Sequence, residues 1–379
     1  MTIREELRLN PVADIMFNDT MYTEGPTKMV APELILGLEL ELENFTSRAG
    51  GVDGFTYTND GSLRNNGREA ITAPTKAKFL ETLLTKFFAH HKVKEEHYSE
   101  RCSTHVHMNV QDMTFSQLKV LAMLYQTMER LLFEYVGHDR KQNIFCVPWY
   151  ESGLTPSFVD KLTRRPGEAL RRWVKYSALN FLPVIEQGTV EFRHLHGTCD
   201  MKVLLGWINL LSCLHRYAKE HTFEELRDNI LEMNTVSNYD KFMGDVFQQH
   251  VDLLQFERNR EQLNFGVVDT KLMLIQKKES LIEERLAEQL LELQALRNTR
   301  PNLFTEEPIR YAQWNPTPIE VDMPPPPPRT LFQQWRDAWQ TRNIAGHRLI
   351  DGVWYKANRQ GQIVPVVLAD LAQRDEETL

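Results

Sequence analysis

The clearest hydrophobic and polar pattern in the chain is the alternation of glutamate and leucine that ends at residue 43. Glu39, Glu41 and Glu43 occupy every second position, with leucines between them. Successive side chains of a strand point to opposite faces, so this period of two predicts a β-strand over Ile35–Phe45. Neighbouring carboxylates on its acidic face would lie about 6.5 Å apart and repel each other. Taken alone, the pattern favours a solvated acidic face, although hard cations such as Mg²⁺ or Mn²⁺ would also neutralise it.

The same alternation recurs in three further segments, which are separated by segments with apolar residues at helical spacing. Short strands that interleave with helices over residues 34–221 predict an α+β domain. The predicted strands are 69–72, 103–110 and 189–195, and the predicted helices are 76–91, 115–137 and 203–219.

The chain on either side of this core domain has a different character. The first 33 residues contain three prolines and no long periodic pattern, whereas residues beyond 221 are charge-rich with an apolar stripe over 275–293. Trp335 and Trp339 precede a predicted strand pair that turns near Asp351-Gly352. The predicted organisation is an irregular lead-in (1–33), the core (34–221), a helical extension (222–299), a proline-rich linker (300–329) and a small C-terminal module (330–379).

Composition narrows the class of protein. The chain has 379 residues, of which 42% are hydrophobic and 25% charged, as in an ordinary soluble globular protein. A net charge of −8 without a cluster of lysine and arginine argues against a nucleic-acid partner. No apolar run of membrane-spanning length or signal-peptide core is present, so we expect no membrane association and a cytoplasmic location. The four cysteines lack framework spacing and are predicted to be reduced, inert thiols.

Four polar clusters fall on or beside the predicted strands, and each of them alone is ordinary. If the strands are neighbours in one sheet, their polar faces form an anionic surface lined with imidazole and guanidinium groups. Such a surface suits several Mg²⁺ ions and a bound phosphate, which is what phosphoryl transfer requires. The chain has no Walker A or G-x-G-x-x-G motif, so a glycine-rich nucleotide loop is not indicated. The clusters are Glu39/Glu41/Glu43, Asp60 with Glu69, His105/His107/Asn109, and Glu191 with Arg193.

A series of short motifs runs in order through residues 34–198, about half of the chain. They are Gly37-x-Glu39-x-Glu41, Asp60-Gly-Ser-Leu, Gly67-x-Glu69 with Pro74, His105-x-His107-x-Asn109, Arg140-x-x-Asn143 with Cys146, Tyr176-x-x-Leu-Asn180, and Thr189-Val-Glu191-Phe-Arg193 ending in Gly197-Thr198. Together they resemble the amidoligase family of carboxylate–amine ligases, found in bacteria and phages. That family shares the fold of glutamine synthetase and glutamate–cysteine ligase.

The resemblance implies a curved antiparallel sheet with helices on one side, whose concave face binds ATP and several Mg²⁺ or Mn²⁺ ions. Arg193 would contact the transferred phosphate. An attacking amine also needs a carboxylate base near it, and Glu43, which has no assigned counterpart in the family, or Asp60 would serve. The implied metal ligands are Glu39, Glu41, Glu69, Glu191 and one histidine, for which His107 matches better than His105. The implied substrate- and ATP-binding residues are Arg140, Asn143, Tyr176, Asn180 and Asn109.

The implied reaction joins a carboxylate to an amine through an acyl phosphate, with ATP as the phosphate donor. The sequence leaves both substrates open, from small metabolites to peptides and proteins, and the separate C-terminal module favours a macromolecule. The oligomeric state is also open. The implied location is the cytoplasm of a bacterium or of a phage-infected host cell.

Two other classes of function compete with the ligase interpretation. A zinc hydrolase would use His105, His107, His194 and His196, but the alternation predicts that His194 and His196 point away from Glu191. A non-catalytic phage or bacterial assembly protein would retain the fold without the chemistry, and the helical extension and linker suit such contacts. Every implied ligand position carries a residue type that can bind a metal ion, which favours an active enzyme.

Overall fold

The computed structural model describes residues 1–16, 22–45, 51–137, 140–141, 143–152, 155–171 and 173–274, and short strands within 343–365. The chain divides into two compact units, Met1–Thr299 and Arg300–Leu379. The predicted apolar stripe over 275–293, the proline-rich linker and the pair Trp335 and Trp339 lie outside the described residues.

The first unit contains a sheet of seven strands with helices before, between and after them. Its strands are β1 (Ile35–Leu42), β2 (Phe55–Asn59), β3 (Arg68–Thr72), β4 (Thr75–Lys76), β5 (Ser103–Asn109), β6 (Leu179–Asn180) and β7 (Thr189–His196). Its helices are α1 (Ile3–Leu7), α2 (Ala77–His91), α3 (Phe115–Val136), α4 (Trp149–Ser152), α5 (Thr155–Arg164), α6 (Pro166–Arg171), α7 (Met201–Glu220), α8 (Phe223–Glu232), α9 (Val236–Phe247) and the helical residues 256–274. Short 3₁₀ turns occupy Val12–Asp14, Glu95–His97, Leu182–Val184 and Gln248–Leu254.

The order of strands in the sheet explains why separate motifs can meet. The order is β2-β3-β1-β5-β7-β6, every pairing is antiparallel, and β4 pairs with the start of β1. The four strands predicted from alternation, β3, β1, β5 and β7, are therefore consecutive neighbours. The prediction of an α+β fold is confirmed.

One face of the sheet forms the core of the first unit. The leucines at 36, 38, 40 and 42 of β1 are at most 1% exposed, which fits the alternation that predicts this strand. Helix α3 packs against β7 and α7, and sixteen of its residues are buried. It begins at Thr114, whose side chain accepts a hydrogen bond from Gln117 N while Gln117 Oε1 accepts one from Thr114 N. This capping box satisfies amide groups that would otherwise lack partners at the helix start.

Several elements differ from the sequence-based expectation. Strand β1 ends at Leu42 rather than at residue 45, and the lead-in contains helix α1, capped by Thr2 and Glu5. The Thr-x-x-Glu spacing of that capping box is a readable signal that the sequence analysis did not use. Strands β2 and β6 and helices α4 to α6 were not predicted. Strand β6 has only two residues and forms because β7 lies beside it.

The second unit contains four short strands, β8 (Asn343–Ile344), β9 (His347–Ile350), β10 (Val353–Ala357) and β11 (Ile363–Pro365). They form an antiparallel sheet in the order β11-β10-β9-β8. Ile350 of β9 lies opposite Val353 of β10, so the described residues on either side of Asp351-Gly352 form the antiparallel strand pair that the sequence predicts there. Across the described parts of both units, no helix combines the length and the apolar character needed to span a bilayer.

Candidate active site

The register of the antiparallel pairs places the polar residues of different motifs directly opposite each other. Each of these residues occupies the strand face opposite to the buried leucines, as the period of two requires. Together they form one continuous polar stripe across five neighbouring strands. The opposed pairs are Glu41 with Glu69, Glu39 with His105, His107 with Glu191, and Glu191 with Asn180.

His105 lies at the centre of this stripe and is only 3% exposed. Its Nδ1 atom lies 2.9 Å from Glu39 Oε2 and 3.3 Å from Glu191 Oε1. Its Nε2 atom lies 2.8 Å from Ser103 Oγ and 3.8 Å from Glu41 Oε1. One imidazole on β5 therefore contacts carboxylates from both neighbouring strands.

Ser103, at the start of β5, holds Glu41 in place. The Ser103 backbone N–H and hydroxyl both donate to Glu41 Oε2, at 2.7 and 2.5 Å. The sequence analysis did not single out this serine. The available signal was its position two residues before His105 on an alternating strand, which places both side chains on the same face.

The second histidine of β5 has fewer contacts with the carboxylates. His107 Nε2 lies 3.0 Å from Glu39 Oε1, and its Nδ1 lies 3.1 Å from Thr189 Oγ1. Burial favours the neutral forms of His107 and Glu39, but the hydrogen bond and the attraction between their opposite charges outweigh the effect of burial. The pKa of Glu39 therefore lies below its usual value, and the pKa of His107 lies above its usual value.

Glu69 shows how crowded the carboxylates are. Burial, followed by repulsion from Glu39 and Glu41, raises the pKa of Glu69 to about 8, although Thr58 Oγ1 donates a hydrogen bond to it at 3.1 Å. A carboxyl group with such a pKa is mostly protonated at neutral pH. A bound cation would reverse this shift by supplying the missing positive charge.

The donor set fits a hard divalent cation. Two groups of side chains, Glu39/His105/Glu191 and Glu41/Glu69/His105, bring one ligand atom from each member within 4.8 Å of the others. Carboxylate oxygens are the ligands that Mg²⁺ and Mn²⁺ prefer, and an imidazole is acceptable to Mn²⁺. Both groups contain His105, whereas the resemblance favours His107. The structure therefore gives His105 the central position and leaves His107 as a partner of Glu39.

Arg193 lies beside these groups on β7. Its Nη1 donates to Glu191 Oε1, its Nε donates to Phe145 O at 3.0 Å, and Glu191 Oε2 accepts a second hydrogen bond from Asn180 Nδ2 at 2.7 Å. The Arg193 guanidinium also lies 6.0 Å from the centre of the Tyr176 ring. Bonds from Nε and Nη1 fix the guanidinium and leave its Nη2 without a partner in the described part of the chain.

These residues line a cavity of about 920 Å³. Its remaining lining, called the basic wall below, contains four basic side chains and two acidic ones, Arg101, Arg140, Arg171, Lys175, Asp60 and Glu186. The backbone carbonyls of Arg193 and His194 both accept hydrogen bonds from Arg140, at 2.8 Å each. Of the predicted residues, Asp60, Arg140, Asn143, Tyr176 and Asn180 line this cavity together with the metal-binding groups. The sequence analysis missed Arg101, Arg171 and Lys175, which lie outside the strands and carry no sequence pattern that would place them here.

Two predicted site residues do not line this cavity. Glu43 follows the last residue of β1 and accepts a hydrogen bond from Arg64 N at 2.8 Å, so it is bonded to the segment that follows Asp60. Asn109 is the last residue of β5, accepts a hydrogen bond from Gln111 N at 3.3 Å, and lines a different cavity. Strand alternation gives the face of a residue but not where the cavity ends along the strand, so it does not separate these two residues from those that line the cavity.

The histidines required for a zinc hydrolase are not brought together. His194 is completely buried on the core side of the sheet, where its Nε2 lies 2.8 Å from Tyr125 OH. Burial, assisted by the charge of Arg140, lowers the pKa of His194 to about 3. His196 is exposed, and its Nδ1 lies 3.3 Å from Val136 O. Alternation predicts that His194 and His196 point away from the face that carries Glu191, and this orientation separates them from His105 and His107.

The chemistry of an acidic, imidazole-containing face opposite a basic wall suits anionic, metal-bound substrates, and the comparison with known proteins agrees with a ligase. Residues 88–215, about a third of the chain, match the family model described as "Putative amidoligase enzyme". The predicted resemblance to the amidoligase family is confirmed over these residues, which include His105, His107, Glu191 and Arg193. The family match supports a ligase enzyme.

Two further comparisons are less informative. Among solved structures, the chain is similar to a bifunctional glutathione synthetase from Pasteurella multocida, with 12% sequence identity and a TM-score of 0.34. That similarity covers 65% of this chain and 49% of the other, so the chain spans about half the length of that protein. No curated protein matches the sequence.

Proposed function

We propose that this protein is an ATP- and Mg²⁺-dependent carboxylate–amine ligase that forms an amide bond through an acyl phosphate. One observation carries the proposal: two carboxylate–imidazole groups that share His105 lie in the same cavity as Arg193 and a basic wall. Acidic residues on one side would hold the metal ions of a nucleotide complex. Basic residues on the other side would hold phosphate and carboxylate groups.

The residues that would hold the metal ions are Glu39, Glu41, Glu69, His105 and Glu191. When bound, Mg²⁺ would neutralise the triphosphate and orient its terminal phosphate. The same ions would relieve the repulsion among carboxylates that raises the pKa of Glu69. The acidic groups therefore serve to bind metal rather than to transfer protons.

The proposed chemistry has two balanced steps. A carboxylate oxygen of the first substrate attacks the γ-phosphorus of ATP, the bond to the β,γ-bridging oxygen breaks, and ADP leaves. The amine nitrogen of the second substrate then attacks the acyl carbon, and inorganic phosphate leaves with the electron pair of the C–O bond. Arg193 is positioned to stabilise negative charge on the transferred phosphate, because its Nη2 has no protein partner among the described residues.

A base is needed to take a proton from the attacking amine. Asp60 lines the cavity, and its Oδ1 accepts a hydrogen bond from Ser62 N at 2.7 Å, which orients the carboxylate. Glu43, the other predicted base, does not line the cavity. We assign the role to Asp60 within this proposal.

The experiment is ADP release by the purified full chain with ATP, Mg²⁺ and panels of carboxylates and amines. An ¹⁸O-labelled carboxylate substrate should deliver one labelled oxygen to the released phosphate, because the acyl phosphate route transfers it. Glu191→Gln should lower the rate at least about 100-fold, since it removes one metal-binding carboxylate. The exposed Glu96→Gln is the matched control and should leave the rate unchanged. Unlabelled phosphate, or a Glu191→Gln rate equal to that of the control, would refute the proposal.

A further inference from the structure

A buried carboxylate on the core side of the sheet takes no part in the chemistry described so far. Glu129 lies within α3, is completely buried, and accepts three hydrogen bonds. The donors are Tyr125 OH at 2.5 Å, Trp149 N at 2.7 Å and Tyr150 N at 3.1 Å. Taking a carboxyl group out of water is costly, and an apolar side chain would fill such a position more cheaply. The partners of Glu129 therefore deserve a functional explanation.

Two of these partners directly follow the segment that forms part of the cavity wall. Trp149 N and Tyr150 N are the first two amide groups of α4, so Glu129 satisfies donors that a helix start leaves unpaired. The segment that precedes α4 contributes Asn143 and Phe145 to the cavity. Glu129 thus fixes the end of that segment from behind.

The same segment holds the guanidinium group of the proposed phosphate-binding residue. Phe145 O accepts a hydrogen bond from Arg193 Nε at 3.0 Å. This carbonyl is four residues before Trp149, so a shift of the helix start would displace it. Apart from Glu191, Phe145 provides the hydrogen-bonding partner of the Arg193 guanidinium in the described part of the chain.

Tyr125 supplies a second connection to the same place. Its hydroxyl lies between Glu129 Oε1 and His194 Nε2, at 2.5 and 2.8 Å. His194 follows Arg193 on β7, and its backbone carbonyl accepts a hydrogen bond from Arg140 Nε at 2.8 Å. One turn of α3 therefore contacts both the strand that carries Arg193 and the segment that binds its guanidinium.

We propose that Glu129 and Tyr125 are positioning residues, which keep Arg193 directed toward the phosphate-binding part of the cavity by joining β7 to the segment before α4. Their effect passes through hydrogen bonds to Trp149, Tyr150 and His194, not through contact with substrate. The metal-binding side chains on β1, β3 and β5 are not bonded to this pair. The role of Arg193 in binding phosphate rests on the proposed function.

The experiment compares two ligands in the full chain. Glu129→Gln keeps the size of the side chain but presents an amide N–H₂ to a backbone N–H, so one hydrogen bond is lost. Affinity for Mg²⁺-ATP, measured by calorimetry with a non-hydrolysable analogue, should fall about tenfold, which is the effect of about 1.4 kcal/mol. Affinity for Mn²⁺ alone should change less than about twofold, because the proposed ligands on β1, β3 and β5 are undisturbed. Tyr125→Phe should likewise weaken analogue binding and leave Mn²⁺ binding nearly unchanged.

The matched control is Thr127→Val, on the same helix and equally buried. Thr127 donates to Met123 O and contacts Thr270 Oγ1, so its loss weakens the packing of α3 against the helical residues 256–274 instead. Thr127→Val should leave the affinity for the analogue unchanged even where it lowers the thermal midpoint as much as Glu129→Gln. If both variants weaken analogue binding equally, or if Glu129→Gln weakens Mn²⁺ binding as much as analogue binding, the positioning role is refuted.

A double variant separates this inference from the proposed function. In an Arg193→Ala background, Glu129→Gln should cause no further loss of analogue affinity, since both changes act on one contact. Additive losses would overturn the positioning role and leave the ligase proposal intact. If the wild-type protein does not bind the analogue at all, the proposed function fails instead. The positioning role is then judged from crystal structures of the wild-type protein and of Glu129→Gln. The Arg193 Nε to Phe145 O distance should be longer in the variant than in the wild-type protein.

Discussion

The protein buries carboxylates on both sides of one sheet, and the two sides satisfy them differently. In the cavity, Glu41 lies directly opposite Glu69, and Glu39 and Glu191 both contact the single imidazole of His105. Behind the sheet, Glu129 stands alone and accepts three hydrogen bonds from neutral donors. The face of the sheet toward the cavity therefore holds more carboxyl groups than positive partners, whereas the core side holds one carboxyl group with its hydrogen bonds complete.

The difference between the two sides of the sheet indicates which buried carboxyl groups are suited to bind a ligand and which stabilise the fold. In the open cavity, burial and repulsion from Glu39 and Glu41 on the adjacent strand raise the pKa of Glu69, so this group is short of positive charge that a ligand can supply. Burial likewise raises the pKa of Glu129, to about 7, but the amides of Trp149 and Tyr150 and the hydroxyl of Tyr125 occupy its oxygens. The first arrangement is suited to bind a cation, and the second is suited to hold segments of the chain together.

The largest expected effect is on metal affinity. Glu41→Gln should weaken Mn²⁺ binding at least about 100-fold, because the neutral amide removes one anionic ligand from the group around His105. Glu43→Gln is a control from the same run of sequence, since Glu43 bonds to Arg64 N outside the cavity. Titration calorimetry measures both. Equal losses in the two variants would show that general acidity, not the register, attracts the cation.

The next largest effect is on stability behind the sheet. Glu129→Gln should lower the free energy of unfolding by about 1–3 kcal/mol, because a buried backbone N–H loses its acceptor. Urea denaturation with and without Mn²⁺ measures this loss, which should be the same in both conditions. A loss that disappears when Mn²⁺ is added would contradict the separation of the two carboxylate groups.

A smaller effect concerns the pH dependence of stability behind the sheet. The pKa of Glu129 is raised from 4.5 to about 7, so its contribution to stability is complete below 4.5 and is lost as pH rises through 7. The pKa of His194 is lowered from 6.5 to about 3, so its contribution is complete above 6.5 and is lost as pH falls toward 3. Between 4.5 and 6.5 the two contributions oppose each other.

Replacement of Glu129 or His194 should leave the pH dependence of stability that comes from the other residue. In Glu129→Gln, stability should fall on acidification below 6.5 by up to about 1.4 kcal/mol per pH unit. In His194→Gln, stability should instead fall as pH rises from 4.5 toward 7. Denaturation midpoints at half-unit steps of pH measure both slopes. Parallel pH profiles for the wild-type protein and both variants would show that these groups do not titrate as their burial requires.

The smallest expected effect has the opposite sign. Glu69→Gln should raise stability by about 0.2–1 kcal/mol in metal-free buffer, because an amide opposite Glu41 neither takes up a proton on folding nor carries a repelling charge. With saturating Mn²⁺ the variant should be less stable than the wild-type protein, since it binds the ion more weakly. Thermal midpoints in chelator and in Mn²⁺ test this reversal of order, and one unchanged order in both buffers would contradict it.

Much of the site could be predicted because strands carry their chemistry at every second position. The alternation of β1, β5 and β7 places Glu39, His105 and Glu191 on one face, and only their order in the sheet was needed to bring them together. The central position of His105, the hydrogen bonds from Ser103 and the exclusion of Glu43 and Asn109 could not be predicted. They depend on register and on where a strand ends, which residue spacing does not specify.

By itself, the sequence determined the strands β1, β3, β5 and β7, the face that each of their polar side chains takes, and that the chain resembles amidoligases. Those properties are local, since they follow from backbone geometry and from the period of the pattern. The tertiary structure alone decided that Arg101, Arg171 and Lys175 form a basic wall, and that Glu129 meets Trp149, Tyr150 and Tyr125 behind β7. Loops and helix packing bring these groups together over long separations, and no repeat in the sequence records such contacts.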